Sequence, residues 1–166
     1  MILSTHAIVG AAFASFLPSH PVAAAAVGFA SHFALDAIPH WDYPIRSESL
    51  QRRRNLGLFF DWALLRDVAI IGCDGLAGLA AAVILFATPI SFNVILIGAL
   101  AAMLPDPLQF LYTRYPRGPL RSLQHFHIWI HTDLRLDDRM LIGIGSQLTF
   151  VAAVVSLTHY IHGRLA

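Results

Sequence analysis

The sequence predicts an all-α integral membrane protein, in which about five transmembrane helices form a bundle with two cytoplasmic loops. Of its 166 residues, 57% are hydrophobic and 13% are charged, and the mean hydropathy is +0.64. A soluble domain of this length has too little interior to bury so many apolar side chains. The apolar residues also gather in long runs, with polar stretches between them. We therefore expect a single integral membrane domain, residues 1–166.

Each long apolar run is a candidate membrane span. A helix needs roughly 20 residues to cross the ~30 Å of hydrocarbon in a bilayer. The third and fifth runs reach this length, whereas the first and fourth are shorter and require little tilt or a locally thinner bilayer. The N-terminal run lacks a preceding basic region, so we interpret it as the first span and not as a cleaved signal peptide. The predicted spans are residues 2–17, 21–38, 63–87, 90–104 and 140–161.

The arginines predict the orientation of the bundle. All eleven basic side chains are arginines, and ten of them lie between Arg46 and Arg139, in or beside two long polar stretches. The short connections PSHP and TPIS carry no formal charge. The positive-inside rule therefore places both long stretches in the cytoplasm. With five spans the N-terminus is also cytoplasmic, and we expect the protein in a bacterial inner membrane.

Charge and cysteine content exclude several other classes of protein. The net charge is +1, and no basic run is interleaved with aromatic residues, so we expect no nucleic acid partner. The single cysteine, Cys73, gives no disulfide framework and lies in an apolar run, where a thiol is a poor nucleophile. The expected partner is the lipid bilayer, while the oligomeric state stays open.

A faint internal repeat relates two parts of the chain. Each copy has an apolar run, a turn that contains proline, a second apolar run and a closing aspartate. The two copies enter and leave the membrane in the same sense, so the pattern predicts a parallel repeat. It also predicts that both aspartates end helices at the cytoplasmic face. The matched pairs are Phe16 with Phe86, Gly28 with Gly98, and Asp36 with Asp106.

Histidines and aspartates from distant parts of the chain are predicted to meet near the cytoplasmic face. His32 and Asp36 are four residues apart and share a helix face, and the same spacing relates His127 to His131. Ionisable groups inside a membrane are costly and usually pair, bind an ion or line a wet cavity. We therefore predict a metal site. Its candidate ligands are His6, His32, Asp36, Asp106, His127 and His131.

The mixture of carboxylates and imidazoles suits zinc, or another first-row divalent ion such as manganese or iron. A metal would hold together aspartates that otherwise repel one another. Asp74 and His40 are candidate catalytic residues, acting as general base and acid on metal-activated water. The alternative is a set of structural pairs, with Asp36 bound to a loop arginine and Asp67 bound to its neighbour Arg66.

Three features resemble the membrane-bound metal-dependent hydrolases of the YdjM type. They are the early His6, the LPD sequence of residues 104–106, and the cluster that ends in His131-Thr132. The family has a small helical bundle with an early GH, an LPDIDHP segment and an HRGxTHS segment. The resemblance implies a metal-dependent hydrolase in the membrane, without a defined substrate.

The chain departs from the family pattern at two places. After Asp106 it reads PLQF, so the family's second aspartate and following histidine are absent. The spacing in HFHIWIH also differs from that in HRGxTH. Asp36, His40 and Asp42 of the first repeat are candidates for the missing ligands.

These observations predict a hydrolase that acts at the cytoplasmic face on an ester or phosphoester of an amphiphilic substrate. Loop arginines, notably Arg52 to Arg54 and Arg117 to Arg121, are candidates for holding a phosphate or lipid head group. Positive-inside topology alone also accounts for them. The alternatives are a small cation or proton transporter, which requires a polar path to the outer face, and a non-enzymatic membrane protein that binds metal or haem.

Overall fold

The computed structural model describes residues 1–47, 61–134, 136 and 138–165, apart from the side chains of residues 113 and 114. The described part of the chain folds into helices joined by turns. The helices are α1 (Leu3–Ala14), α2 (Pro21–Asp36), α3 (Trp62–Phe86), α4 (Phe92–Met103), α5 (Pro105–Arg114), α6 (Pro119–Ile130) and α7 (Met140–Leu165).

Helix α1 lies at the centre of the bundle and packs against α2, α3, α4 and α7. It is rich in alanine and glycine, and most of its side chains are buried. Its start meets the end of α2, because His6 contacts Asp36 there, and it meets the start of α7, because Gln147 accepts a hydrogen bond from Ile2. The polar side chains of the site therefore gather at one end of the bundle.

Helices α2 and α4 lie parallel and in register. A Cβ added at Gly28 would overlap the carbonyl oxygen of Gly98, so the two backbones touch at this point. One turn further along, the His32 Nδ1 lies 2.8 Å from the Ala102 carbonyl oxygen. Both contacts join residues 70 apart, which is the offset of the predicted repeat. Because small residues let backbones approach this closely, the glycines set the distance between the helices that carry the site.

Three helices are long and apolar enough to cross a membrane: Trp62–Phe86, Phe92–Tyr112 and Met140–Leu165. This result agrees with an integral membrane protein. Helices α1 and α2 have 12 and 16 residues, which at ~1.5 Å per residue gives about 18 and 24 Å, less than the ~30 Å of hydrocarbon. The count of five spans therefore stays a prediction.

A proline divides the second of these long stretches, Phe92–Tyr112, into α4 and α5. Pro105 has no N–H to continue the hydrogen bonds of α4, and the Leu104 N–H bonds to the Ala101 carbonyl oxygen at 3.3 Å in a tighter turn. Asp106 thus lies in the first turn of α5 and not at the end of α4, where the sequence analysis placed it. An acidic side chain is favourable there, because it faces the positive end of the helix dipole.

The segment that follows α2 is clamped onto α7. The Gln147 side-chain amide donates a hydrogen bond of 2.9 Å to the Trp41 carbonyl oxygen. Gly143, one turn earlier on α7, lies so close to Trp41 that an added Cβ would overlap the Trp41 Cβ. The position of Trp41 in turn fixes its neighbour His40.

Two backbone hydrogen bonds join this segment to the chain that follows α6. The Thr132 N–H donates to the Asp36 carbonyl oxygen at 2.9 Å, and the Leu136 N–H donates to the His40 carbonyl oxygen at 3.0 Å. This pairing brings the residue just past the end of α6, His131, beside the residues just past the end of α2.

Candidate metal centre

Four ionisable side chains from α2, α5 and α6 converge at the polar end of the bundle. Each of His32, Asp36, Asp106 and His127 offers one ligand atom, and these atoms all lie within 4.8 Å of one another. Three of the side chains are buried, whereas Asp106 is about one-third exposed at 34%. The sequence analysis predicted all four as metal ligands, and the structure brings them together. This buried cluster could hold a metal ion.

The separations between these ligand atoms match those around a tetrahedral ion. Nitrogen and oxygen ligands bound at ~2.0–2.1 Å in a tetrahedron lie about 3.3 Å apart. The Asp36 Oδ2 lies 3.1 Å from the His32 Nε2 and 3.0 Å from the His127 Nε2. The two histidine nitrogens lie 3.3 Å apart, and the Asp106 Oδ1 lies 3.5 Å from the His32 Nε2. These four separations are close to those around a small divalent ion, and the other two lie within 4.8 Å.

The hydrogen bond of His32 shows which of its nitrogens is available as a ligand. Its Nδ1 lies 2.8 Å from the Ala102 carbonyl oxygen, and a carbonyl only accepts, so Nδ1 carries the proton. In the neutral ring Nε2 then has a lone pair, which faces the Asp36 carboxylate and His127. Either a second proton on His32 or a metal ion relieves this repulsion. Metal-bound histidines commonly donate their other N–H to a backbone carbonyl in this way.

A second group of ligands shares Asp36 with the first. Ligand atoms of Asp36, His40 and His131 lie within 4.8 Å of one another. The His40 Nδ1 bonds to the Ile38 carbonyl oxygen at 2.7 Å, and the His131 Nδ1 bonds to the Thr132 carbonyl oxygen at 3.0 Å. Burial lowers the pKa of His40, so this ring is neutral at pH 7, the state that binds metal.

His6 is buried against Asp36 with neither ring nitrogen satisfied. It is fully buried, and its ring stacks on that of His32 with 4.0 Å between the ring centroids. The His6 Nε2 lies 3.2 Å from the Asp36 Oδ1, yet among the described residues neither nitrogen has a hydrogen-bond partner of acceptable geometry. Buried polar groups without a partner are rare and indicate an unfilled contact.

The amino group of Met1 also lies at this carboxylate. Its nitrogen lies 2.9 Å from the Asp36 Oδ1 and 3.7 Å from the Asp42 Oδ2. A positive charge is therefore favourable between the two aspartates. Among the residues that the structure describes, the partners of Asp36 are histidines and this amino group. The loop arginines Arg52 to Arg54 of the alternative interpretation lie outside the described residues.

A cavity of about 550 Å³ opens beside the site. Asp36, Asp106, His127, His131 and Asp133 are among the residues that line it. A cavity of this size can take a small molecule or a lipid head group. The ligand groups are therefore buried but have an access path.

Asp74 lies away from both groups of ligands. Its carboxylate accepts a hydrogen bond of 2.8 Å from the Ser4 N–H in the first turn of α1 and a second, short one from the Tyr43 hydroxyl. The Tyr43 oxygen in turn accepts from the Leu3 N–H at 3.0 Å. Burial, followed by the neighbouring Asp74, raises the pKa of Tyr43 above its ordinary value, so the phenol stays protonated. This arrangement caps the start of α1, and the catalytic role of Asp74 stays a prediction.

Several other sequence interpretations can be compared with the structure. Asp67 is buried and pairs with Arg66 at 3.1 Å, as the structural alternative predicted. Asp42 has a side chain 40% exposed, with its Oδ2 4.0 Å from the His40 Nε2, and belongs to neither ligand group. The catalytic role of His40 stays a prediction. Arg52 to Arg54 lie outside the described residues.

Some residues at the site carried no signal in the sequence. In the sequence, Tyr43 is typical of an aromatic residue at a membrane interface. Its hydroxyl instead donates a hydrogen bond to Asp74, 31 residues further along the chain. Gln147 and Gly143 lie on an apolar helix and acquire their roles through contacts with distant residues, Trp41 for both and also Ile2 for Gln147. The available signal in the sequence is a polar or small residue within an apolar run. This signal does not predict which residue it contacts.

Comparisons with family models, with curated proteins and with solved structures gave no match to this chain. The resemblance to the YdjM-type hydrolases therefore rests on the residues that suggested it.

Proposed function

We propose that this chain is a membrane-embedded hydrolase that uses a divalent metal ion to cleave an ester or phosphoester of an amphiphilic substrate. The proposal rests on the convergence of His32, Asp36, Asp106 and His127 at a cavity that can take a head group. When bound, such an ion polarises the ester and lowers the pKa of water, which supplies a nucleophile at neutral pH. Zinc suits the ligand separations best, and manganese and iron accept the same ligand types.

The side chains divide the work between binding and orientation. His32 and His127 would supply nitrogen ligands, and the carbonyl of Ala102 holds the His32 ring in the tautomer that leaves Nε2 without a proton. Asp36 supplies the buried negative charge that offsets the charge of the ion. Asp106, which is part exposed, lies between the buried ligands and the cavity and borders the space for substrate.

The interior beyond the site favours hydrolysis over transport. A transporter needs a polar path that continues toward the opposite face. Here the interior is filled by small and branched apolar side chains, including Ala11, Ile95 and Ala99. The touching backbones of Gly28 and Gly98 leave no space between α2 and α4. A pocket open at one end of the bundle is typical of an enzyme.

The membrane arrangement belongs to the same proposal. We place five spans in a bacterial inner membrane, with the N-terminus and the site at the cytoplasmic face, because the arginines cluster in the two long polar stretches. Contacts between residues 70 apart, Gly28 with Gly98 and His32 with Ala102, support the parallel repeat. The resemblance of His6, residues 104–106 and His131 to the YdjM-type hydrolases supports the activity.

The test is metal analysis of the full chain purified in mild detergent. We expect the wild type to retain a divalent metal, and Asp36→Asn and Asp106→Asn to bind it about tenfold or more weakly. Asp133→Asn is the matched control, because Asp133 lines the same cavity but lies in neither ligand group. Release of head groups from phospholipid micelles and from carboxylic ester micelles is measured on the same samples.

Equal metal content in the wild type and both ligand variants would exclude the proposed coordination. Full metal content with no cleavage of either ester class would leave a metal-binding membrane protein and exclude the hydrolase.

A further inference from the structure

We propose that the site holds two divalent ions and that the Asp36 carboxylate bridges them. The first ion takes His32, Asp36, Asp106 and His127, and the second takes Asp36, His40 and His131. This inference deepens the proposed function and rests on it. Apart from the shared Asp36, the second group consists of side chains that the single-ion proposal does not use.

The two oxygens of Asp36 face different sets of histidines. Oδ2 lies 3.1 Å from the His32 Nε2 and 3.0 Å from the His127 Nε2. Oδ1 lies 3.2 Å from the His6 Nε2 and 3.9 Å from the His40 Nε2. Because the lone pairs of the two oxygens diverge, one carboxylate can serve an ion on each side. In two-metal enzymes the ions lie ~3.5–4 Å apart, a spacing that a carboxylate bridge spans.

The second group also has the tautomers that metal binding requires. His40 and His131 each place Nδ1 against a backbone carbonyl oxygen, at 2.7 and 3.0 Å, so each neutral ring leaves Nε2 without a proton. His32 in the first group has the same arrangement. Three histidines at one carboxylate thus keep the same nitrogen free. Metal-ligating histidines commonly donate their other ring N–H to a backbone carbonyl in this way.

His6 supplies an independent observation on the Oδ1 side. It is fully buried, its Nε2 lies 3.2 Å from the Asp36 Oδ1, and neither of its nitrogens has a hydrogen-bond partner among the described residues. A cation on this side of Asp36 would give that nitrogen a partner. His6 therefore borders the position of the second ion, although it belongs to neither group of candidate ligands.

The amino group of Met1 is the competing occupant of this position. It lies 2.9 Å from the Asp36 Oδ1 and supplies one positive charge there. If this charge is the only cation on that side, the protein binds one metal ion and the His131 nitrogen is not a ligand. If the second ion binds, the amino group gives way to it.

The experiment titrates Mn²⁺ into the full chain, purified in detergent and freed of metal with a chelator. We expect two equivalents of bound Mn²⁺ by elemental analysis and an exchange-coupled signal by electron paramagnetic resonance. His131→Ala and, as a second variant, His40→Ala should lower the content to one equivalent and give the signal of an isolated ion. His125→Ala is the matched control, since His125 lies on α6, is exposed and is in neither group.

One equivalent with an uncoupled signal in the wild type overturns the inference, and this result needs no variant to fold. If the wild type binds two equivalents of Mn²⁺ but gives the signal of isolated ions, Asp36 is excluded as the bridge. If the wild type binds one ion and cleaves an ester, only the second ion is excluded. If it binds no metal, the proposed function fails together with this inference.

Discussion

The hydrogen bonds of the individual histidine rings determine which ring nitrogens at the site can bind an ion. His32, His40 and His131 each place Nδ1 against a carbonyl oxygen of the backbone. A carbonyl cannot donate, so the protein itself selects the tautomer before any ligand arrives. The rings are therefore ordered when the protein folds, before an ion binds. The lone pairs of their Nε2 atoms are then already oriented for binding.

Asp74 allows the capping role to be separated from a catalytic one. We expect Asp74→Asn to lower the free energy of unfolding by about 1–3 kcal/mol, because the carboxylate that holds Ser4 and Tyr43 becomes a weaker acceptor. Metal content should stay at the wild-type value, since Asp74 lies in neither ligand group. Thermal unfolding in detergent and metal analysis give both quantities. A stable variant that has lost ester cleavage would instead support the base predicted from the sequence.

Single residues also show what spacing in the sequence can and cannot predict. The four-residue separation of His32 and Asp36 correctly placed both on one helix face. The same spacing in His127 and His131 predicted one face for that pair. However, α6 ends at Ile130, and the two histidines enter different ligand groups. A helix end that falls between two residues is invisible to periodicity.

At the scale of helices, close contacts hold the ligand-bearing segments in place. Gly143 on α7 lies against Trp41, whereas Gly145 on the same helix has nothing within 4 Å of an added Cβ. Because Trp41 directly follows His40, the contact of Trp41 with α7 also positions His40. Two glycines only two residues apart therefore have different roles.

This difference gives a test with a built-in control. We expect Gly143→Ala to lower the free energy of unfolding by about 1–3 kcal/mol through overpacking against Trp41. Gly145→Ala should instead raise it by up to about 1 kcal/mol, because alanine is the better helix former. Thermal unfolding of both variants measures the effect. A neutral Gly143→Ala would show that the segment after α2 is free to move away from α7.

The elements themselves were largely predictable, whereas their lateral packing was not. Five apolar runs correspond to α1, α2, α3, α4 and α7, since a hydrophobic stretch of this kind folds as a helix in lipid. The short α1 gave no sign that it would be the central helix. That role depends on side chains small enough for neighbours to approach from every direction. The fourth predicted run ended at residue 104, next to the end of α4, but the helix that begins at Pro105 was not predicted.

The whole molecule combines a lipid-facing exterior with a polar end. Large apolar side chains of α3 and α7, such as Leu76, Ile84 and Leu141, are exposed, which suits contact with lipid. Cys73 is the single cysteine and is exposed on α3, ~16 Å along the helix from Trp62. This placement puts its thiol within the hydrocarbon of the bilayer.

Cysteine labelling therefore tests the membrane arrangement. In intact membranes we expect Cys73 to resist a charged maleimide and to react after denaturation in detergent, because thiolate formation and reagent access both require water. In a Cys73→Ala background, Ser19→Cys should be labelled from the outer side and Asp133→Cys only after the inner side is exposed. Labelling of both positions from the same side would contradict the proposed topology.

The order in which the ligands leave the ribosome follows from their positions in the chain. His32 and Asp36 are synthesised long before Asp106, and His127 comes later still. During insertion His32 and Asp36 are therefore present before Asp106 and His127. The group of four side chains is complete only when α6 has been made. In the proposed function, the ion is therefore acquired only after α6 has been made, from the compartment that the cavity faces.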